Sequence, residues 1–443
     1  MTFDDVLPAL VRICESAPGF VDLKRACVVR DLRGRVRLVV DPDPSKPDFA
    51  LSTERLEASL KAELGGYFAP PIWSTAASKR PDEARLAREI FKQPASESWS
   101  PMVADGAGVL AVPARARWFK HERRVSKQEW LEPSIARPPW EIGQAAGIVT
   151  FYSFKGGVGR TTALVACAWQ LAKQGKRVVV LDLDLEAPGV GVLLGVSTKR
   201  GLVDLIVDYL ASGEVDLSDA VAEAEALGED ASFVHVVPAG VLGPAYLEKL
   251  ARLDFVGGHP GADADRSLSP LEHALRAILM KLRSLRPDYV LIDARAGLHD
   301  LAGLSLHRFA HVDVLFGRTN EQTYQGLELS VEMLVRRKGL RELECVVAQT
   351  MVSPEGLSDA VADEEQFLDR SYDWFRRHVY GKPGARSFER QGKGPHRPVV
   401  VRYDSSLNRF ATLRSIERSF FAPCYEQLLD RVVAGLKRLE GGA

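Results

Sequence analysis

Residues 154–162 read FKGGVGRTT, with three glycines, a lysine, an arginine and two threonines in nine positions. Only glycine lets a main chain bend sharply and bring its N–H groups close to an anion. The run follows GIVTFYS (147–153), which is apolar and strand-like, and precedes ALVACAWQLAKQG (163–175), whose apolar spacing is helical. A strand-to-helix turn of this kind adds the positive end of a helix to the amides of the loop. The chemistry it predicts is phosphate binding. Gly156, Gly157, Val158 and Gly159 supply main-chain donors, Lys155 and Arg160 supply positive charge, and Thr161 and Thr162 open the helix with hydroxyls toward the anion.

Two further segments bring carboxylates. DLDLEAPGVG (182–191) ends one apolar run and DYVLIDARAG (288–297) contains another. Asp182 and Asp184 lie two apart at a strand end, so both face one site if the strand has begun to turn there. Asp293 closes its own run, and Gly297 follows four residues later. A lone aspartate after a buried strand serves equally well as a helix cap. Carboxylates that accompany a phosphate loop point instead to a hard cation such as Mg2+, with the Thr161 hydroxyl as a further oxygen ligand.

The elements that must position these groups are legible downstream of residue 143. Strand-like runs recur at GIVTFYS, RVVVLDLD, SFVHVVPAG, DYVLIDARAG, VDVLFGRT, ECVVAQTM and PVVVRYD, with amphipathic helical stretches in most of the gaps. Such alternation predicts an α/β fold, a doubly wound and mostly parallel sheet with helices on both faces. The segment LEPSIARPPWEIGQAAG (131–147), rich in proline and glycine, reads as a linker, which places a domain boundary near residue 143. Upstream, ACVVRDLRGRVRLVVDPD reads as a hairpin turning at Arg33-Gly34-Arg35. STERLEASLKAELGG reads as a helix with Ser52 or Thr53 at its N-cap. Residues 1–143 are thus expected to form a small α+β module of unknown role, and residues 144–443 the phosphate-binding domain.

The general phosphate-loop pattern is GxxxxGK[ST], and this chain has Phe154 at the first glycine and Arg160 at the lysine. It fits the deviant form KGGxG[KR]TT, which resembles the loop of the ParA/MinD-type ATPases, a SIMIBI branch of the P-loop NTPases. The resemblance runs over roughly residues 146–438, with DLDLEAPGVG as a first switch and Asp293 to Gly297 as a second. It implies ATP and Mg2+ as cofactors. Lys155 would reach the nucleotide of the partner subunit in a homodimer formed through the nucleotide face. Arg160 would act on the β- and γ-phosphates, Asp184 would orient the attacking water, and Thr161, Asp182 and Asp293 would serve the metal. Gln349 stands where the family commonly reads adenine with an asparagine, and the absence of an NKxD motif favours ATP over GTP. The segment VVVRYDSSLN nominates Tyr403 and Asp404 beside the base, although packing and capping explain those two equally well. Arginine is planar and larger than lysine, so binding is expected to survive and hydrolysis to be slow.

The resemblance implies an Mg-ATP-dependent dimer that switches the interaction with an unidentified protein partner in a partitioning, positioning or defence system. The alternative is a regulatory module in which nucleotide is a structural ligand with negligible turnover. A tyrosine kinase with a similar loop would usually carry a terminal tyrosine cluster, and this chain ends VVAGLKRLEGGA. Five scattered cysteines offer neither a cluster site nor CxxC spacing, and they favour a reduced, cytoplasmic setting, as does the lack of a signal-like N-terminus. With 58 Lys and Arg against 59 Asp and Glu, the chain is not built as a whole for nucleic acid. Two stretches leave DNA or RNA open as a partner: residues 376–402, with eight Lys and Arg against one Glu, and RARWFKHERRVSK (115–127). The last helix places Leu428, Leu429, Val432, Val433, Leu436 and Leu439 on one face, and burial against the sheet is expected rather than a membrane anchor.

Overall fold

In a computed structural model of the chain, the described residues are 2–43, 51–76, 81–92, 97–104, 111–123, 127–131, 137–253, 269–340, 343–354, 358–383 and 386–441. The chain divides into two compact units, residues 1–125 and 126–443. The division falls earlier than the proline-rich stretch near residue 143. The reason is packing: Trp130 and Trp140 are both buried in cores of the second unit.

In the first unit, strands β1 (Leu23–Arg30) and β2 (Val36–Pro42) form the expected antiparallel hairpin. Gly34 turns it at φ +80°, and the Asp31 carboxylate accepts the amides of Arg33 and Arg35, both at 2.9 Å. With β3 (Trp73–Ser74), β4 (Glu97–Trp99) and β7 (Trp118–Glu122) they make a five-stranded sheet in the order β3-β2-β1-β7-β4. A separate pair, β5 (Met102–Ala104) and β6 (Ala111–Pro113), is antiparallel. Helices α1 (Val6–Ser16) and α2 (Thr53–Leu64) share a core with one sheet face, and α3 (Pro81–Ile90) lies on the other. Ser52 caps α2 by accepting the Arg55 amide. Buried Glu15 of α1 accepts the amides of Arg115 and Ala116 and the Trp118 indole N–H, at 3.0, 3.0 and 2.9 Å, which ties α1 to the start of β7.

The second unit opens with the short helix α4 (Gln128–Leu131) and is built on eight strands. These are β8 (Gly147–Ser153), β9 (Val178–Asp182), β10 (Ala222–Glu223), β11 (Val234–Val237), β12 (Tyr289–Asp293), β13 (Val312–Gly317), β14 (Cys345–Val352) and β15 (Val399–Arg402). Their order is β10-β11-β9-β12-β8-β13-β14-β15, parallel throughout except for the antiparallel edge pair β10 and β11. Both faces are covered, so the strands are continuous apolar runs rather than alternating ones. All seven sequence-predicted strands are present. Helices α5 (Arg160–Lys173), α13 (Glu417–Phe420) and α14 (Pro423–Gly441) pack on one face; α14 buries Leu428, Leu429, Val432 and Leu436 there, the face expected for it. The opposite face carries α7 (Leu202–Ser212), α8 (Pro244–Leu253), α9 (Pro270–Leu282), α10 (Asp300–Leu304), α11 (Glu321–Lys338) and α12 (Ser358–Phe375), while α6 (Val190–Leu193) follows β9. The chain winds outward in both directions from β8 and β12, and in such sheets ligands bind at the carboxyl ends of the strands where the winding reverses.

Candidate functional site

The register of the central strands gathers the site. Asp293 at the end of β12 stands level with Asp182 on β9 and with Phe151 on β8, just below the phosphate loop. The loop leaves β8 at Ser153, and Gly157 and Gly159 adopt φ +72° and +79°, a left-handed conformation that favours glycine. Gly159 is the N-cap of α5 and has no side chain to satisfy the first amides of the helix, which leaves them available to an anion. Phe154, at the place of the usual glycine, lies against Gly326 of α11: a Cβ there would sit 2.0 Å from the ring.

Arg160 is buried and turned toward the carboxylates. Its Nε donates to Asp293 Oδ1, one terminal nitrogen donates to Asp184 Oδ2 at 2.7 Å, and the other reaches Ser153 Oγ at 3.4 Å. Thr161 Oγ1 donates to the second oxygen of Asp293 at 2.6 Å. Burial disfavours the charge on Arg160, but Asp293 and Asp184 outweigh it and hold the guanidinium above its ordinary pKa. Asp293 is itself pushed up by burial, against the pull of Arg160 and Thr161.

Asp182 is placed differently from the metal role expected of it. One oxygen accepts the amide of Asp184 at 3.1 Å, and the other accepts those of Gly189 and Val190, both at 3.2 Å. It thereby braces the first switch loop and caps α6. Burial and the neighbouring Asp293 push its pKa up to about 8. Among the described residues no cluster of three or more His, Cys, Asp or Glu could enclose a metal ion. A hydroxyl and a carboxylate side by side, Thr161 and Asp293, nevertheless fit Mg2+, which takes one or two protein oxygens and completes its shell with phosphates and water.

Lys155 is half-buried in the loop and makes no side-chain hydrogen bond or ion pair among the described residues. Gln349 is fully buried on β14, where its Nε2 donates to Thr319 Oγ1 and to the Asp363 carbonyl, both at 3.1 Å. It does not line the open cavity of about 210 Å³ beside it, whose walls include Arg318, Asn320, Thr350, Met351 and Asp363. Met351 links that cavity to the phosphate loop: a Cβ on Gly159 would lie 3.8 Å from its methyl group. Tyr403 is 43% exposed and its amide donates to the Val352 carbonyl. Asp404 caps the short turn after β15 by accepting the Ser406 amide at 2.9 Å, and hydrogen bonds from Ser419 and Ser406 lower its pKa.

Sequence reasoning missed an ion pair between the two switches, Arg295 to Glu186. Both residues lie inside the quoted motifs, but their pairing has no local signal. The basic stretch 376–402 also looks different in three dimensions. Arg376, Arg377, Arg390 and Arg402 pair with Asp373, Glu328, Glu365 with Asp369, and Glu364, so half of its eight cations face acids of α11 and α12. In the 115–127 stretch Trp118 is a core residue of the first unit rather than a stacking surface, and 124–126 lie outside the described residues.

A parallel sheet wound both ways, a glycine-rich loop running into a helix and two switch carboxylates beneath it define a P-loop NTPase domain. A family model described as an AAA domain matches residues 146–312. The chain is 29% identical to the antiactivator FleN of Pseudomonas aeruginosa over 219 residues, which cover 49% of this chain and 67% of FleN. It is also 29% identical to an uncharacterized ATP-binding protein of Methanocaldococcus jannaschii over 152 residues, 34% of this chain and 46% of that protein. The apo McdA structure from Cyanothece is 18% identical, covers 66% of this chain and 99% of its own, and has a TM-score of 0.43. The matched stretches thus span from two thirds to less than half of these curated relatives. The second unit has the P-loop NTPase fold, and over these stretches it is similar to proteins described as an antiactivator and as an ATP-binding protein.

Proposed function

We propose that the chain binds Mg-ATP at residues 155–162, hydrolyses it slowly, and works as a homodimer whose nucleotide state switches a protein partner. The observation that carries this reading is the convergence at Arg160. The cation of the loop, the helix-opening hydroxyl of Thr161 and the carboxylates of both switches meet within hydrogen-bonding distance, although they come from three separate segments. A γ-phosphate would compete for Arg160 and release Asp184 to a water, while Thr161 and Asp293 would hold Mg2+, which supplies charge neutralisation when bound. Lys155 has no partner among the described residues, as expected of a group that acts across a dimer. The remaining exposed cations of residues 376–402 keep DNA or RNA as a candidate ligand.

A second reading is favoured by the same arginine. If Arg160 keeps hold of Asp184 after ATP binds, no carboxylate is free to orient water, and nucleotide is a regulatory ligand with negligible turnover. Phosphate release by the purified protein, with and without DNA, separates the two. The dimer is tested by Lys155→Ala, which is expected to abolish ATP-dependent dimerisation in sedimentation while nucleotide binding to the monomer stays measurable. An unchanged ATP-induced dimer would refute that role.

A further inference from the structure

Helix α4 is docked at the second switch. The Lys127 amide donates to Asp300 Oδ2 at 2.8 Å, and the Trp130 indole N–H donates to the His299 carbonyl at 2.8 Å. His299 and Asp300 are the N-cap and first residue of α10, only two and three positions beyond Gly297. The Trp130 ring is buried, with its centroid 4.9 Å from His307 and 6.1 Å from Tyr152. Tyr152 in turn belongs to the phosphate-loop strand, and its hydroxyl donates to the Gly297 carbonyl at 3.3 Å. The Gly297 amide donates to Ser153 at 3.1 Å. One continuous set of contacts therefore runs from the phosphate loop through Gly297 to residues 127–130.

We propose that residues 127–131 are a strap that is docked without a γ-phosphate and released when a triphosphate binds, so that the nucleotide state is passed to the point where the chain arrives from the N-terminal unit. The inference rests on the nucleotide reading of the phosphate loop. A γ-phosphate draws a switch glycine toward itself, which here breaks the bonds of Gly297 to Ser153 and Tyr152. Only Leu298 separates Gly297 from His299, and one residue spans at most ~3.6 Å, so the displacement reaches His299 and Asp300. Those are the two residues that hold the strap. Leu298 is packed against the same core as Trp130 and has little room to absorb the movement. Lys127, at φ +64°, already holds a conformation uncommon for a side-chain-bearing residue, so its docked state depends on the Asp300 contact.

The test is hydrogen exchange on the full chain, with Mg2+ and a non-hydrolysable ATP analogue, with Mg-ADP, and without nucleotide. In the natural protein the analogue is expected to speed exchange at 127–131 by about threefold or more, and ADP to leave it unchanged. Trp130→Phe keeps the ring but removes the indole donor. It should raise exchange at 127–131 without nucleotide and abolish most of the response to the analogue, while amides 156–162 are protected as before. Asp300→Ala, which removes the acceptor for Lys127, should act in the same way and serves if the phenylalanine variant does not fold. Protection at 156–162 with unchanged or slower exchange at 127–131 would overturn the strap and leave the nucleotide reading standing. Loss of all protection at 156–162 would overturn both.

Discussion

Replacing Arg160 by alanine tests the centre of the site in the absence of any nucleotide. The guanidinium side chain is only 8% exposed and is paired with Asp293, 1% exposed, and with Asp184, 14% exposed. Removing one partner of a buried ion pair costs about 3–5 kcal/mol, because the remaining charge is left without compensation. Here two carboxylates lose their countercharge, and Asp182 stands close by with a pKa already pushed up to about 8. Asp293, whose pKa burial already raises, can relieve part of the cost by taking up a proton. Its folded pKa then lies above the unfolded one, so this relief is present at low pH and is lost as pH rises through the raised value. Urea denaturation of Arg160→Ala is therefore expected to show a deficit of about 3 kcal/mol or more at pH 8 that shrinks on going to pH 5.5. Millimolar Mg2+ without nucleotide should restore part of the deficit in the variant and have little effect on the natural protein, where Arg160 occupies the carboxylates. Arg160→Lys supplies one ammonium in place of a three-way fork. It should keep ATP affinity within several-fold and preserve or raise hydrolysis, because Asp184 is held less firmly. Equal stability of the alanine variant and the natural protein at pH 8 would refute the view that Arg160 holds the two switches. A large fall in hydrolysis for the lysine variant with binding intact would show that the fork itself is catalytic.

Under the proposed function, in which Asp184 orients water rather than holding nucleotide, Asp184→Ala is expected to bind ATP and accumulate as the loaded dimer in sedimentation; failure to bind would assign the carboxylate to the metal or to folding. His311 accepts the Ile148 amide at 2.9 Å and bonds through Nε2 to the Trp140 carbonyl at 2.9 Å, and burial pushes its pKa down to about 4. The neutral form is favoured in the fold, so its contribution is present above the unfolded value of 6.5 and is lost as pH falls toward 4. Denaturation curves across that range should show the natural protein losing about 3 kcal/mol relative to His311→Gln, which keeps a donor and an acceptor but does not titrate.

Much of the second unit could be read from residue order because its signals are local. Seven apolar runs, most of them buried on both faces, alternate with amphipathic helical stretches, and the phosphate loop, Asp184 and Asp293 each stand at the end of one such run. The boundary between the units was less legible. The proline-rich stretch looks like a linker by composition, yet Trp130 just before it and Trp140 within it are buried in the second unit's cores. Composition reports stiffness and polarity, and it does not report which cavity an indole will fill.

The partners of the functional side chains depend on contacts that no local pattern encodes. Arg160 meets carboxylates 24 and 133 positions away, and Arg295 meets Glu186 across 109. These pairings exist because β12 is inserted between β8 and β9, which brings two switches from distant parts of the chain to one edge of the loop. The same holds for Asp182, whose acidity suggests a metal but whose oxygens face the amides of a loop that folds back over it. It holds for Gln349, whose amide is taken by Thr319 and Asp363, and for the arginines of residues 376–402, whose acids lie on other helices. Residue type and spacing establish which chemistry is available at a strand end. Which groups meet there depends on strand order, because side-chain hydrogen bonds and ion pairs act over a few ångströms and strand order alone brings distant segments that close.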